Sequence, residues 1–342
     1  MTQSTSVFVT GATGFIGTKL VNELVRKGHT IHALTRSTSN TSGLSHERIK
    51  LVTGDIMDRT SLERAMQGCT QVYHLAAYAK NWAPDKQVFY DQNINGMINV
   101  FEAAKACNIR RVVFTSTIVT LGPTPPGVVG NEEMPRITNR YYTEYEESKA
   151  LAENKAREYA SQGFPVVIVN PTRVYGPGKL TEGNSVTLMI DMYDRGKVPV
   201  LLNRGINVGN YAFVDDLVQG HILAMERGRI GERYILGGEN ISLKGLFELV
   251  DEVSNKKHLQ FNLPPKLAMA YGSVLLFFAE WFGIYPQITP GWVETFLQDW
   301  AYSTAKAERE LGYTVTPLRE GIRITYEWIL QERARRKGTN TV

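Results

Sequence analysis

A chain of 342 residues, 43% of them hydrophobic and 21% charged, can bury a large core; it exceeds one ordinary domain but falls short of two full-sized ones. Its formal net charge of +4, with acids mixed among the bases throughout, leaves no footprint for nucleic acid and excludes that class of partner. Two cysteines, Cys69 and Cys107, without a CxxC neighbour, are too few for a disulfide framework or a metal cage, so a reducing compartment and no metal are expected.

The chain starts Met-Thr-Gln-Ser-Thr-Ser, with neither the basic start nor the apolar core of a signal peptide, and is expected in the cytoplasm. A β-branched and aromatic run from Val7 then ends in Gly11, Gly14 and Gly17, and apolar residues at helical spacing (Phe15, Ile16, Leu20, Val21, Leu24, Val25) follow at once. Gly11 suits a turn closed to side chains, Gly14 a close approach of backbone to phosphate, and Gly17 tight packing of helix on strand. The new helix points unpaired N–H groups at whatever anion lies over the turn, and a dinucleotide pyrophosphate fits there, beside Thr13, Phe15 and Ile16. The spacing G-x-x-G-x-x-G is wider than the usual dinucleotide fingerprint.

Further short apolar strands are predicted at Ile31–Leu34, Ile49–Val52, Val72–Leu75, Val112–Thr115 and Val166–Val169, separated mostly by amphipathic helices. Such alternation specifies an α/β chain with a doubly wound parallel sheet covered on both faces, whose ligands bind beyond the carboxyl ends of the strands. After the second strand stands Arg36, with no acid until Glu47. An acid there would bond a ribose 2′-OH and repel a 2′-phosphate, whereas arginine welcomes the phosphate, so NADP(H) is preferred and NAD(H) is the alternative. After the third strand, Asp55 and Ile56 are placed for the adenine, though Asp55 could equally cap the next helix. After the fourth, Leu75, Ala76 and Ala77 let a cofactor lie against the backbone, and His74 reads as a packing histidine. Asn93 either orients the chain or a water, or sits on a helix face.

Thr115-Ser116-Thr117 follows the fifth strand, and Tyr145 and Lys149 lie at i and i+4 of a helix some way beyond. Positions so spaced share a face, so a phenol and an ammonium can point into one cleft. A phenol of pKa ~10 is a poor proton shuttle at neutral pH, and a fixed cation beside it favours the phenolate. Tyr145 would exchange a proton with the substrate oxygen, Lys149 would tune it and hold the nicotinamide ribose, and a strand-end hydroxyl would orient that oxygen.

Beyond Pro177 the alternation loosens, which suggests a smaller C-terminal substrate-binding lobe. The expected division is a nucleotide domain over 1–176, with 205–228 returning to it through a helix at Val214–Met225, and a lobe over 177–204 and 229–342. The run Leu267–Ala279, with Trp281 and Phe282 beyond, is shorter than the ~20 residues of a span; it is expected as a buried helix or lid of the lobe that shapes an apolar cavity, with peripheral membrane contact as the alternative. The cationic tail, Arg333, Arg335, Arg336 and Lys337, reads as a solvated helix end.

Seven segments together resemble a known family: T-G-A-T-G-F-I-G at Thr10–Gly17, H-L-A-A at His74–Ala77, T-S-T at Thr115–Thr117, Y-x-x-S-K-A-x-A-E at Tyr145–Glu153, N-P-T-R-V-Y-G-P-G at Asn170–Gly178, F-V-D-D-L at Phe213–Leu217 and the late Gly231–Tyr234. The chain resembles, over nearly its whole length, the extended short-chain dehydrogenases of the NAD-dependent epimerase/dehydratase family, and most of all their dihydroflavonol 4-reductase and 3β-hydroxysteroid dehydrogenase branch. The resemblance implies a Rossmann fold, hydride transfer with Thr117, Tyr145 and Lys149 as catalytic residues, and Pro171 and Val174 beside the cofactor. Threonine at 117 stands where the family usually has serine, with Ser116 as the fallback. Nucleotide-sugar epimerases of the family carry an arginine two residues before the tyrosine that corresponds to Tyr211; here that residue is Gly209, which counts against a sugar diphosphate unless Arg173 or Arg204 substitutes. The implied activity is an NAD(P)-dependent ketone reductase or alcohol dehydrogenase acting on an apolar small molecule. The alternatives are a nucleotide-sugar epimerase or dehydratase and a non-catalytic NADP sensor or assembly factor; a homodimer is compatible with any of the three.

Overall fold

A computed structural model describes residues 5–339, so residues 1–4 of the stretch read above as lacking a signal peptide lie outside the described residues. In chain order the strands are β1 (Ser6–Thr10), β2 (Thr30–Thr35), β3 (Ile49–Thr53), β4 (Gln71–His74), β5 (Arg111–Thr115), β6 (Val166–Pro171), β7 (Arg173–Tyr175), β8 (Val200–Leu202), β9 (Val208–Phe213), β10 (Arg233–Leu236), β11 (Glu239–Ser242) and β12 (Phe261–Leu263). The helices are α1 (Phe15–Arg26), α2 (Arg59–Met66), α3 (Gln87–Tyr90), α4 (Gly96–Ala106), α5 (Glu144–Ser161), α6 (Ser185–Asp194), α7 (Val214–Arg227), α8 (Leu243–Ser254), α9 (Pro265–Phe282), α10 (Pro290–Phe296), α11 (Ala305–Leu311) and α12 (Leu318–Thr339).

Seven strands form one sheet in the order β10-β6-β5-β4-β1-β2-β3, every neighbouring pair parallel. Residues alternate between its faces: Val7 and Val9 pack with α1 and α7 on one side, Phe8 with α2 and α4 on the other. Both faces are apolar because both are covered, the reason these strands read as nearly unbroken Val, Ile and Phe. The strand order reverses between β1 and β4, so a crevice opens beyond the carboxyl ends of those two strands.

The lobe is built from a β11-β9-β7 sheet and a β12-β8 ribbon, with α6, α8 and α12 around a core of Ile190, Phe247 and Ile322. The expected division is redrawn in three places. Strand β10 closes the edge of the main sheet against β6, and α11 packs on β10 and α7, so parts of 229–342 belong to the nucleotide domain. Within 205–228 only α7 returns to that domain, because β9 pairs in the lobe. Strand β7, inside 1–176, also belongs to the lobe sheet. Arg333 is no free helix end: its guanidinium bonds Asp191 at 2.7 Å and Asp194 at 2.6 Å, fixing α12 to α6.

The apolar run also departs from its reading as a buried helix. Helix α9 buries only Ala268, Gly272 and Ala279, small residues through which it lies close to the chain at Thr289 and Pro290. Among the described residues no helix is long and apolar enough to cross a membrane.

Candidate active site

The crevice starts at the glycine turn. Gly11 has φ +69°, and a Cβ on it would stand 2.7 Å from the Ala76 nitrogen, so only glycine lets β1 leave the sheet this close to the exit of β4. A Cβ on Gly17 would run into the Gly11 carbonyl. Helix α1 starts at Gly14 with no side-chain cap and no acid in its first turn, which leaves its amide N–H groups and positive dipole end available to an anion.

A cavity of about 570 Å³ runs over this turn, lined by Gly11, Thr13, Gly14, Arg36, Asp55, Ile56, Leu75, Ala76 and Ala77 among others. These are the expected cofactor positions at the ends of β1 to β4. Phe15 and Gly17 line neither this cavity nor the one beyond it: Phe15 is buried against Gly178, so both residues shape the turn from behind. Arg36 is exposed at the rim, and among the described residues its guanidinium has no ion pair. Asp55 is partly committed, Oδ1 accepting the Met57 N–H at 2.9 Å, and the helix cap it was read as providing falls to Asp58, which accepts the Ser61 N–H at 3.1 Å.

Two buried polar links hold the wall in place. The Thr10 hydroxyl accepts the Ala76 N–H at 3.1 Å and lies 2.7 Å from His74 Nδ1; burial, with Lys149 adding to it, pushes His74 down to about 3, so the ring is neutral. It packs on Phe114 as well, ring centroids 5.7 Å apart. Asn93 orients the chain: in a π-helical turn, Asp91–Asn95, its side chain accepts the Tyr78 N–H at 2.7 Å and donates to Ser148 at 2.9 Å, pinning the segment after β4 to α5.

A second cavity of about 340 Å³ shares Leu75, Ala77, Ala79, Lys80, Glu182 and Gly183 with the first and continues past them. Ile16, Thr117, Tyr145, Lys149, Pro171 and Val174 all line it. Helix α5 begins with Thr143 accepting the Glu146 N–H at 3.1 Å, which fixes Tyr145 in the first turn and Lys149 one turn on. Tyr145 faces Thr117 across this cavity; burial raises its pKa and the Thr117 side chain opposes the rise. Lys149 donates to the Thr115 carbonyl at 2.9 Å and lies 4.6 Å from the Phe114 ring centroid. Burial pushes its ammonium down to about 8, against the charge of Glu153, which raises it.

Ser116 also lines this cavity, but its hydroxyl is committed elsewhere. Its hydroxyl donates to Glu153 Oε2 at 2.5 Å, and the same oxygen accepts from Thr120 and Asn170 at 2.7 Å each. Arg233 reaches Glu153 Oε1 at 3.1 Å. One buried carboxylate thus ties the ends of β5 and β6 to α5 and to β10.

The far end of the second cavity is apolar and aromatic, with Val186, Trp292, Phe296 and Trp300. Its cation is Arg173, stacked 4.3 Å from the Phe296 ring centroid. A Cβ on Gly209 would stand 3.1 Å from the Arg173 Cδ, so the glycine makes room for this arginine; Arg204 lines neither cavity. Sequence reasoning passed over Glu182, which borders both cavities and accepts from Tyr285 at 2.9 Å and from the Asn81 N–H at 3.3 Å. It also passed over Trp292 and Phe296, though aromatics at i and i+4 behind Thr289-Pro290 were a readable helix signal.

The model of the NAD dependent epimerase/dehydratase family matches residues 7–237. A putative dihydroflavonol 4-reductase of Synechocystis sp. is 31% identical over 94% of this chain and 93% of its own length. Sterol demethylase protein B of Methylococcus capsulatus is 28% identical over 94% and 98%. Among solved structures, that of gox2253 superposes with a TM-score of 0.82 at 31% identity, covering 96% of this chain and 99% of the other.

Proposed function

This chain belongs to the NAD dependent epimerase/dehydratase family, and from that premise we propose that it is a cytoplasmic NADP-dependent oxidoreductase acting on a carbonyl or secondary alcohol of a largely apolar substrate. The observation that carries this reading is the convergence of Tyr145, Thr117 and buried Lys149 on one aromatic cavity, continuous with the cleft that Arg36 borders.

The pyrophosphate of a dinucleotide would lie over Gly11 and Gly14 against the start of α1, its adenosine end between Arg36 and Ile56. The exposed guanidinium of Arg36 fits a 2′-phosphate bidentately, with no carboxylate at the end of β2 to repel it. The nicotinamide supplies or accepts the hydride. Tyr145 donates a proton to the substrate oxygen in reduction and removes one in oxidation, Thr117 holds that oxygen in line, and the Lys149 charge stabilises the phenolate and grips the ribose. Trp292 and Phe296 would exclude water from the reacting carbon. The names of the two relatives refer to a flavonoid and a sterol, which supports an apolar substrate.

One observation favours a second reading, a nucleotide-sugar epimerase or dehydratase. Arg173 brings a cation without an ion pair among the described residues to the place that Gly209 vacates, where it could hold a diphosphate.

A panel of apolar ketones, secondary alcohols and nucleotide sugars, followed through the absorbance of the reduced nicotinamide, separates the readings. Turnover of an apolar ketone or alcohol, abolished by Tyr145→Phe while NADPH binding persists, is the expected result. Wild-type turnover by Tyr145→Phe refutes the proton-transfer role. Nucleotide-sugar conversion alone favours the second reading, and no turnover of any class favours a non-catalytic sensor.

A further inference from the structure

Helix α9 is built inside out. Its small residues face the protein, and Leu267, Tyr271, Val274, Phe278 and Trp281 face outward, Trp281 at 73% exposed. That spacing, i, i+4, i+7, i+11, i+14, is the repeat by which a helix ordinarily buries one face in a core. The rings form a ladder along it, with centroids 5.8 Å apart from Phe277 to Trp281 and 5.7 Å from Phe278 to Phe282. Immediately before α9, Phe261 (62% exposed) in the β12–β8 ribbon and Leu259 (81%) just ahead of it extend the exposed apolar residues. An uninterrupted exposed array of this size on a globular protein marks a surface that meets something apolar.

Apart from Glu280 near the end of α9, the charge beside it is positive. Neither 195–214 nor 253–279 contains an aspartate or a glutamate. Arg195 and Lys256 are tied to Asp191 and Asp194, but Lys197, Arg204, Lys257 and Lys266 are exposed and, among the described residues, have no ion pair. Three of them flank the ribbon: the Phe261 N–H bonds the Pro199 carbonyl at 2.7 Å, two residues from Lys197, and the Arg204 N–H bonds Asn262 at 2.8 Å, close in sequence to Lys266; Lys257 lies in the segment that leads into it.

We propose that this face docks on an anionic lipid bilayer, with α9 lying in the plane of the interface, its aromatic stripe among the upper acyl chains and the ribbon's cations against the lipid phosphates. A helix with one strongly apolar face, flanked by cations at its start and rich in Trp, Tyr and Phe, has the chemistry of the interfacial zone rather than of a span. A second copy of the chain is the weaker occupant, because a two-fold contact through the same face doubles the uncompensated positive charge. Helix α9 packs on α10, which carries Trp292 and Phe296 to the second cavity. Docking therefore sets that cavity's wall against the membrane, and, on the proposed function, an apolar substrate would reach it from lipid.

The test is flotation of the full chain with vesicles of phosphatidylcholine alone and of phosphatidylcholine mixed with phosphatidylglycerol, with sedimentation equilibrium run in parallel; neither depends on turnover. Docking predicts flotation with the anionic vesicles, release by high salt, and about 5-fold weaker binding for each of Lys257→Glu and Lys266→Glu, equivalent to about 1 kcal/mol per cation near the surface. Phe278→Ser with Trp281→Ser abolishes flotation while NADPH binding, which none of these residues touches, is kept and reports correct folding. Failure to float with anionic vesicles, or salt-independent binding to both kinds, overturns the proposal. A dimer that Trp281→Ser dissociates, without vesicle binding, assigns the face to a second copy instead.

Discussion

Replacing Glu153 by glutamine, its near isostere, isolates the contribution of one buried charge. Glu153 is 2% exposed and accepts from Ser116, Thr120 and Asn170 on one oxygen and from Arg233 on the other. Glutamine offers one acceptor and one donor. If its carbonyl keeps the three donors, its NH₂ meets the Arg233 guanidinium, donor against donor; the reverse orientation sets the NH₂ against three donors. Either way Arg233 loses its charged partner while keeping the Glu132 carbonyl, and the carboxylate's set of bonds is broken on one side, which costs at most about 3–5 kcal/mol. The second consequence is electrostatic. Burial holds Lys149 down at about 8 and the Glu153 charge opposes it, so Glu153→Gln moves Lys149 lower still. Lys149 in the folded chain binds its proton less tightly than a free lysine, so folding stability rises with pH from about 8 towards the ordinary lysine value. In the variant that rise starts at lower pH. Urea unfolding across pH reads both effects. Wild-type stability together with an unmoved pH limb would refute the argument that the Glu153 charge acts on Lys149.

Thr117→Ala removes the hydroxyl that faces Tyr145 and should lower kcat about 10–100-fold with NADPH affinity kept, whereas Ser116→Ala should cost about 1–3 kcal/mol of stability and little kcat; the reverse pattern in steady-state kinetics and melts would move the site to Ser116. Arg36→Ala should raise the NADPH Kd about 10–100-fold, the value of a charge-assisted contact of about 1.5–3 kcal/mol, and leave NADH alone. Calorimetric titration giving equal wild-type Kd values for the two cofactors would disprove an NADP preference. Gly17→Ala forces a methyl onto the Gly11 carbonyl; it should destabilise the chain by about 1–3 kcal/mol and weaken both cofactors alike, and unchanged NADH and NADPH quenching of tryptophan fluorescence would contradict this.

The main sheet could be read ahead of the structure because a strand buried on both faces announces itself as a short Val, Ile and Phe run closed by a turn. Strand β10 could not: Arg233-Tyr-Ile-Leu is four residues long and follows an excursion through the lobe, so nothing local says which sheet it joins. Helix α9 was misjudged for a different reason. Apolar content distinguishes a greasy helix from a polar one, but its orientation is set by which stripe can approach its neighbour. Here Gly272 comes close enough to the Pro290 nitrogen to turn the large residues outward.

The candidate cleft shows the same division between local pattern and distant contact. Positions following β1 to β4 could be found because the reversal of strand order brings those strand ends to one crevice. The choice between Ser116 and Thr117 could not be made from composition, since both are small hydroxyls, yet the backbone constrains it. Successive side chains of an extended chain point to opposite sides, Thr117 is extended with φ −165° and ψ 156°, and the Ser116 hydroxyl is spent on Glu153. Glu153, on α5 beneath the strands, supplies the acceptor that takes Ser116, and Tyr145, one turn earlier than Lys149 on the same helix, meets Thr117. The spacing of Tyr145, Lys149 and Glu153, successive i+4 positions, therefore does more than place a phenol and a cation together. It carries the cleft-facing pair and the buried anion that sorts the two hydroxyls on one stripe of a single helix.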